Sequence, residues 1–401
     1  MSPSPTPNDA GPLAGIRVID ISTVLGAPVA ATLLAEFGAD VVKVEEPTTG
    51  DLLRQFGQAV NGVPLNWMQE ARNKKSITLN LRHVEGQELL KRLLADADVL
   101  VENFRPGTLD KWNLGPAVLR AVNPRLIVLR ISGYGQTGPY RHKGAFDRVA
   151  SAFSGLTFTT GYPDRPPLRQ SFALADFLAA SYGAYAVMLA LYHRDARGGA
   201  GQEIDLALYE GILRSSESMV TAFTKLGVMR TRTGNRNLGV VPAGQYLTKD
   251  QVWLSMHAGT DALWGKLAKL IGGKATDPKW KASRARQAEG DAVEALVENW
   301  VGTRESAALL VELDRAGIPA ERLNTVADIV ADPHIRARNL LEWNDPRTGP
   351  VTVIDVVPKL SATPGKMRWA GPDKGQHNDE IYGSLGLDQA ALARLKAAGI
   401  I

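Results

Sequence analysis

Between Ile16 and Ile131 the chain repeats one pattern: a short run of aliphatic and β-branched residues, an apolar stripe at helical spacing, then another short run. Ile16–Ile21, Val41–Val44, Ser76–Leu81, Val99–Val101 and Leu126–Ile131 read as strands. Ala27–Phe37, stopped by Gly38, and Glu85–Ala95 read as the helices between them. Strands alternating with helices predict a parallel sheet with right-handed crossovers, an α/β fold. A ligand is then expected beyond the carboxyl ends of the strands.

Further along the pattern changes. Gly201 turns the chain into a short strand at Gln202–Leu206, and Ala173–His193 and Leu206–Leu226 read as long helices. Gly244–Met256 reads as short antiparallel strands, and Asp261–Ile271, Asp291–Trp300 and Glu305–Ala316 as helices. These elements suggest a smaller α+β domain over 227–326. A second domain is expected in any case, because 401 residues exceed what one core usually holds. Apolar strand patterns return near Val351–Val357, and Asp388–Ala398 closes the chain as a helix.

Composition removes several chemistries. With no cysteine there is no disulfide, thiolate metal site, thiol nucleophile or iron–sulfur cluster. The six histidines are scattered without ligand spacing, so no metal is expected. The net charge of +4 is spread along the chain, which argues against nucleic acid and suits an anionic small ligand. No apolar run is read as long enough to span a bilayer, so no membrane partner is expected. Residues 1–12, polar and rich in Pro and Ser, read as a disordered tail on a cytoplasmic protein.

Four stretches carry candidate chemistry. Gly133-Tyr134-Gly135-Gln136-Thr137-Gly138 matches a dinucleotide fingerprint by letter, but Pro139 and polar residues follow where that role needs a helix. A loop presenting backbone N–H groups to an acyl or phosphate oxygen fits better. Asp176 heads an apolar helical stretch and is either a helix cap or, in a chain without cysteine, a nucleophile. Asp205, within a strand, is more naturally structural. Asn103-Phe104-Arg105-Pro106-Gly107 follows a strand end and is either a plain connection or a ligand-facing lip. Lys74-Lys75 is a solvated face or a phosphate contact.

Together these stretches resemble the family III CoA-transferases, the formyl-CoA transferase and CaiB–BaiF group. The resemblance runs from Leu13 to the C-terminus. It is carried by Gly15–Asp20, Phe37–Glu45, Asn73–Ser76, Val101–Gly107, Gly133–Gly135 with Gly138-Pro139, Asp176, Gly201-Gln202 and Gly317–Pro319. It implies a large Rossmann-like domain from both chain ends, here 13–226 and 327–401, a small domain between, and an interlocked homodimer. It places the catalytic aspartate on Asp176 and CoA contacts on Val24, Leu25, Lys75, Asn103, Phe104, Arg105 and Lys111. No permanent cofactor is implied; coenzyme A enters as acyl-CoA substrate, with a small carboxylic acid as its partner.

Where formyl-CoA transferase has a glutamine beside its active site, this chain has Leu25. Where it has an arginine for the nucleotide end, this chain has Glu46. Its extended glycine loop is missing, and Gly234-Asn235-Arg236-Asn237 stands in that region. The chain looks most like family members acting on four- and five-carbon dicarboxylates, on succinyl-, malyl-, citramalyl- or mesaconyl-CoA, the last with transfer within one molecule. Arg54 and Arg169 are candidates for a substrate carboxylate. Gly133, Gly135 and Gly234 are candidates for an oxyanion contact or a lid. Related α-methylacyl-CoA racemases carry a base histidine in a Gly-His-Asp stretch, where this chain has Phe146 before Asp147, so racemase ranks second and an NAD-dependent dehydrogenase behind it.

Overall fold

The computed structural model describes residues 11–237 and 239–401, so most of the expected tail, Met1–Ala10, lies outside the described residues. The chain divides into two compact units. The first comprises the chain up to Leu156, Gln170–Ser218 and His334–Ile401; the second comprises Thr157–Arg169 and Met219–Pro333. The segment Thr157–Arg169 thus belongs with the second unit, although its neighbours on both sides belong to the first.

The first unit is an α/β structure around six strands: β1 (Arg17–Asp20), β2 (Asp40–Glu45), β3 (Lys74–Thr78), β4 (Val99–Glu102), β5 (Ile127–Ser132) and β6 (Glu203–Ala207). Their order is β3-β2-β1-β4-β5-β6, and every neighbouring pair is parallel. Successive strands move outward from β1 in one direction and then, after β3, in the other. The loops after β1 and β4 therefore diverge and open a crevice at the carboxyl edge, where open α/β sheets bind ligands.

Side-chain alternation explains the two faces. Val18, Val41, Val99, Leu129 and Ile131 face helices α1 (Gly26–Glu36) and α4 (Leu174–Ala196). Ile19, Val42, Leu100 and Val128 face α2 (Val84–Leu94) and the C-terminal residues Ile381, Tyr382, Leu392 and Leu395. Small residues let α1 and α4 approach closely: Ala27, Ala30, Ala31 and Ala35 share one buried cluster with Ala175, Ala179 and Ala180. The exposed edge of β3 is covered by side chains, with His377 Nδ1 accepting from the Ser76 amide at 3.0 Å and Asn378 Oδ1 from the Thr78 amide at 2.9 Å. An open strand edge is a template for unwanted pairing, and this cover removes it.

Two sequence expectations change. Leu206–Leu226 is not one helix: after β6 come α5 (Glu210–Arg214) and α6 (Met219–Leu226). The break falls in Ser215–Ser218, where Glu217 sits at φ +54 and the Ser215 hydroxyl donates to the Gly211 carbonyl. The expectation of no bilayer-length apolar run also fails on length and composition, because α4 has 23 residues and is apolar enough to cross a membrane. Tyr and Ser within the stretch mask its length when the letters are read alone.

The second unit carries a three-stranded antiparallel sheet of Ala243–Leu247, Trp253–His257 and Ala320–Arg322. It packs with helices Asp261–Ile271, Gly290–Gly302 and Ser306–Ala316 around Tyr246, Leu254, Trp264, Val297 and Leu309. Buried Arg286 donates to the carbonyls of Val241, Gly259, Trp280 and Lys281 and so ties its loops together.

Candidate active site

Asp176 is the third residue of α4 and is half-buried. It does not cap its own helix. The cap comes from Asp147, at the start of α3 (Asp147–Phe153), whose Oδ1 accepts the Ala175 amide at 2.7 Å. Among the described residues no hydrogen bond reaches the Asp176 carboxylate. Gly26, the first residue of α1, lies against it: a Cβ on Gly26 would stand 3.0 Å from Asp176 Oδ1 and 3.0 Å from the Leu208 side chain. Burial first, then the negative charge of Asp147, pushes the Asp176 carboxyl up to about 7.

The β1–α1 loop beside it is held in the opposite way. The Ser22 amide and hydroxyl donate to Asp20, and the Ser22 carbonyl accepts from Lys43. Thr23 exchanges two bonds with the Asn103 side chain, N–H to Oδ1 at 2.9 Å and Nδ2 to the carbonyl at 2.7 Å. The Val24 amide donates to Asp51 Oδ1 at 3.0 Å. Val24 itself stands at φ +71, a left-handed conformation that β-branched residues avoid.

Beneath the loop lies a fully buried charge cluster. Lys74 Nζ is 2.9 Å from Asp20 Oδ2 and donates to the Pro28 carbonyl at 2.7 Å. Lys43 Nζ stands 2.9 Å from Asp51 Oδ2, outside hydrogen-bonding alignment, and 3.6 Å from Asp20 Oδ1. Burial alone would push the Asp20 carboxyl up, but Lys43 and Lys74 together hold it below the usual range.

An unbonded carboxylate at the crevice of a Rossmann-ordered sheet suits nucleophilic attack better than metal binding. Among the described residues no group of three or more His, Asp or Glu could hold a metal ion. Comparison with known proteins decides the family, since the model for CoA-transferase family III matches residues 13–378.

The chain belongs to CoA-transferase family III.

It is 42% identical, over 97% of its length and 98% of the relative's, to succinyl-CoA–D-citramalate CoA-transferase of Chloroflexus aurantiacus. To the beta subunit of succinyl-CoA–L-malate CoA-transferase of the same organism it is 44% identical, over 97% and 98%. A crystal structure of a CAIB/BAIF family protein from Brucella suis superposes with a TM-score of 0.83 at 33% identity, covering 94% of this chain and all of that one.

The expected CoA residues of this transferase do not all gather in one place. Asn103 bonds to Thr23, the residue before Val24 and Leu25, so these three lie near one another at the crevice. Phe104 follows directly and stacks edge-on against Trp112, centroids 4.9 Å apart. Arg105 is exposed and lies against Gly144, whose Cβ would stand 2.9 Å from its guanidinium. Lys111 is exposed at the end of the one-turn helix Thr108–Lys111. Lys75 is at the other edge of the sheet, near the start of β3, with its ammonium 3.2 Å from Asp40 and 2.9 Å from Glu380.

The arginines and glycines also separate. Arg54 places its guanidinium on Glu45, at 2.7 and 2.8 Å, and over the Trp67 ring, so its fork is engaged inside the protein. Arg169 belongs to the second unit and is exposed. Gly133 is pressed against Ala145, which leaves 2.7 Å for a Cβ. Gly135, at φ +84, precedes the Gln136 amide, which donates to Asp205 Oδ1 at 2.8 Å. Asp205 is thereby structural, and no helix opens between Gly135 and α3, so the dinucleotide reading lacks its pyrophosphate cradle. In the second unit Gly234, at φ +64, donates to the Gly161 carbonyl at 2.9 Å and leaves only 2.7 Å to the Tyr162 ring. It is an anchored turn.

Gly26, Asp51 and Asp147 were not singled out from the sequence. For Asp147 the available signal is an acid just inside a helix start. Asp51 and Gly26 give none, because their roles depend on contacts across 27 and 150 residues.

Proposed function

We propose that this family III enzyme moves CoA from succinyl-CoA to a four- or five-carbon dicarboxylate with Asp176 as covalent nucleophile. The observation that carries the proposal is the half-buried, unbonded Asp176 carboxylate at the crevice. A carboxylate Oδ attacks the thioester carbonyl; the C–S bond breaks, CoA thiolate leaves and a mixed anhydride remains. The thiolate then attacks the aspartyl carbonyl and expels the donor acid, leaving an aspartyl-CoA thioester. The acceptor carboxylate attacks that thioester, and the two steps run in reverse. Positioning is worth about 7–11 kcal/mol in such reactions, against about 0.3–1 kcal/mol from an exposed helix N-terminus, so alignment carries the rate.

The dicarboxylate assignment draws on the relatives named for succinyl-CoA with citramalate and malate, and on a succinate–glutarate CoA-transferase from Agrobacterium fabrum that is 32% identical over 94% of this chain. The racemase reading is weaker because Phe146, with no imidazole, precedes Asp147. Asp176→Ala is expected to lower exchange by on the order of 10⁴-fold or more while CoA still raises the melting temperature. Trapping during turnover should change the mass of the peptide holding Asp176, upward with hydroxylamine, which leaves a hydroxamate, and downward with borohydride, which reduces the acylated carboxyl to an alcohol. Exchange near the native rate in Asp176→Ala would remove the nucleophile, and a preference for monocarboxylates in an acid panel would remove the substrate class.

We also infer a homodimer. On α4 the side chains of Phe177, Tyr185, Met188, Leu189 and Tyr192 are exposed, Tyr185 at 60%. Within the second unit Phe223, Leu226 and Met229 are exposed as well. Apolar surface on this scale marks an association face. Light scattering should give twice the chain mass; a monomer at micromolar concentration would end this inference.

A further inference from the structure

We propose that Asp147 is the positioning residue of the nucleophile: it caps the helix that carries Asp176, leaving the Asp176 carboxylate without a hydrogen bond and beside a like charge. This rests on Asp176 being the nucleophile. A helix of this kind needs an acceptor at its start, and an acid at the third position is placed to reach back to the helix-start N–H, as in a capping box. Ala173, at the cap position, supplies no side-chain bond. If Asp176 did so, its carboxylate would be ordered, stabilised and a poorer nucleophile. Asp147 Oδ1 instead accepts the buried Ala175 amide at 2.7 Å from a separate helix 28 residues earlier in the chain.

Among the described residues the other elements against Asp176 add no opposing charge. α1 presents Gly26, and the segment after β6 presents Leu208. Glu210 is turned to the Ala207 amide, at 2.8 Å, and Arg148 is exposed. On α4 no charged side chain follows Asp176 until His193 and Arg194. Asp147 is therefore the charged group that acts on Asp176, and it disfavours the anion, as burial does. Acylation relieves that repulsion: the Asp176 oxygen bonds the acyl carbon, the C–S electron pair leaves with CoA, and one of two adjacent negative charges becomes a neutral anhydride. An anion made more basic in this way is the stronger nucleophile at neutral pH.

The test compares Asp147→Asn with Asp147→Ala. Asparagine keeps an oxygen for the Ala175 amide and removes the charge. We expect the acidic limb of kcat/KM in Asp147→Asn to move to lower pH by about one unit, with the plateau falling roughly three- to tenfold. Asp147→Ala should lose more rate and also melt at lower temperature, because the amide is left bare. The same displacement should appear in the pH dependence of single-turnover labelling of the Asp176 peptide, which needs no steady-state activity. An acidic limb and labelling midpoint unchanged in Asp147→Asn would overturn the proposal and leave Asp147 a plain cap. That outcome is distinct from failure of the nucleophile itself, which is read from wild-type trapping and Asp176→Ala.

Discussion

The Ser22–Val24 loop and the Asp176 carboxylate both adjoin Gly26, and among the described residues polar partners crowd the one while no hydrogen bond reaches the other. The loop holds Val24 in a conformation it disfavours, and Asp20, Lys43, Asp51 and Asn103 fix the backbone around it. On the proposed mechanism the carboxylate is the reacting group, and each hydrogen bond given to it would lower its basicity. Fixing the frame through its amides and leaving the proposed nucleophile bare would obtain alignment without taming the group being aligned.

The largest effect should come from opening the buried cluster. Lys43→Met removes the cation shared by Asp20, Asp51 and the Ser22 carbonyl, which strands buried Asp51 and leaves Asp20 with Lys74 alone. Losing one partner of a buried pair costs about 3–5 kcal/mol, so this variant should unfold at markedly lower urea. A loss under about 1 kcal/mol would mean that water reaches the cluster and that the loop is not held from below.

On the other side of the comparison the sign reverses. The folded Asp176 carboxyl, raised by burial and by Asp147 to about 7, disfavours the charge that the unfolded chain carries freely. Its ionisation therefore costs stability, beginning above the ordinary carboxyl range near 3.8 and reaching its full value above about 7. Asp176→Asn should be more stable than the native chain at pH 8, by a few kcal/mol at most at about 1.4 kcal/mol per pH unit. The gain should shrink at pH 5 and vanish below pH 4. An equal gain at pH 5 and pH 8 in urea titrations would show that the asparagine stabilises by packing and not by removing a charge.

What could be read in advance follows the range of the forces involved. The strands and helices of the sheet announce themselves because alternation and helical spacing are local, and β1 to β6 lie close to where the pattern puts them. Asp176 could be found, but not whether it capped its helix, because the deciding acceptor sits on Asp147 and no spacing rule links the two. Arg54 looked available for a substrate because a cation is unpaired on paper; Glu45, nine residues away and across a turn, takes it. Lys75 resembles its neighbour Lys74 on paper, yet successive residues of a strand point to opposite faces, and the two end in different surroundings.

The smallest effect tests the frame by its strain. At an ordinary position glycine costs more stability than alanine, because it has more freedom to lose. At φ +71 the order should invert: alanine keeps the strain and loses the isopropyl contacts, while glycine loses the same contacts and sheds the strain. Val24→Gly should therefore be more stable than Val24→Ala by about 1 kcal/mol, and within about 1 kcal/mol of the native chain. Its turnover should nevertheless fall, since a glycine at the head of α1 lets Gly26 drift against Asp176. If alanine proves the milder change, Val24 is not being held against its preference. The side-chain partners around the loop would then serve the buried charges alone, and the contrast between a clamped frame and a bare nucleophile would lose its frame.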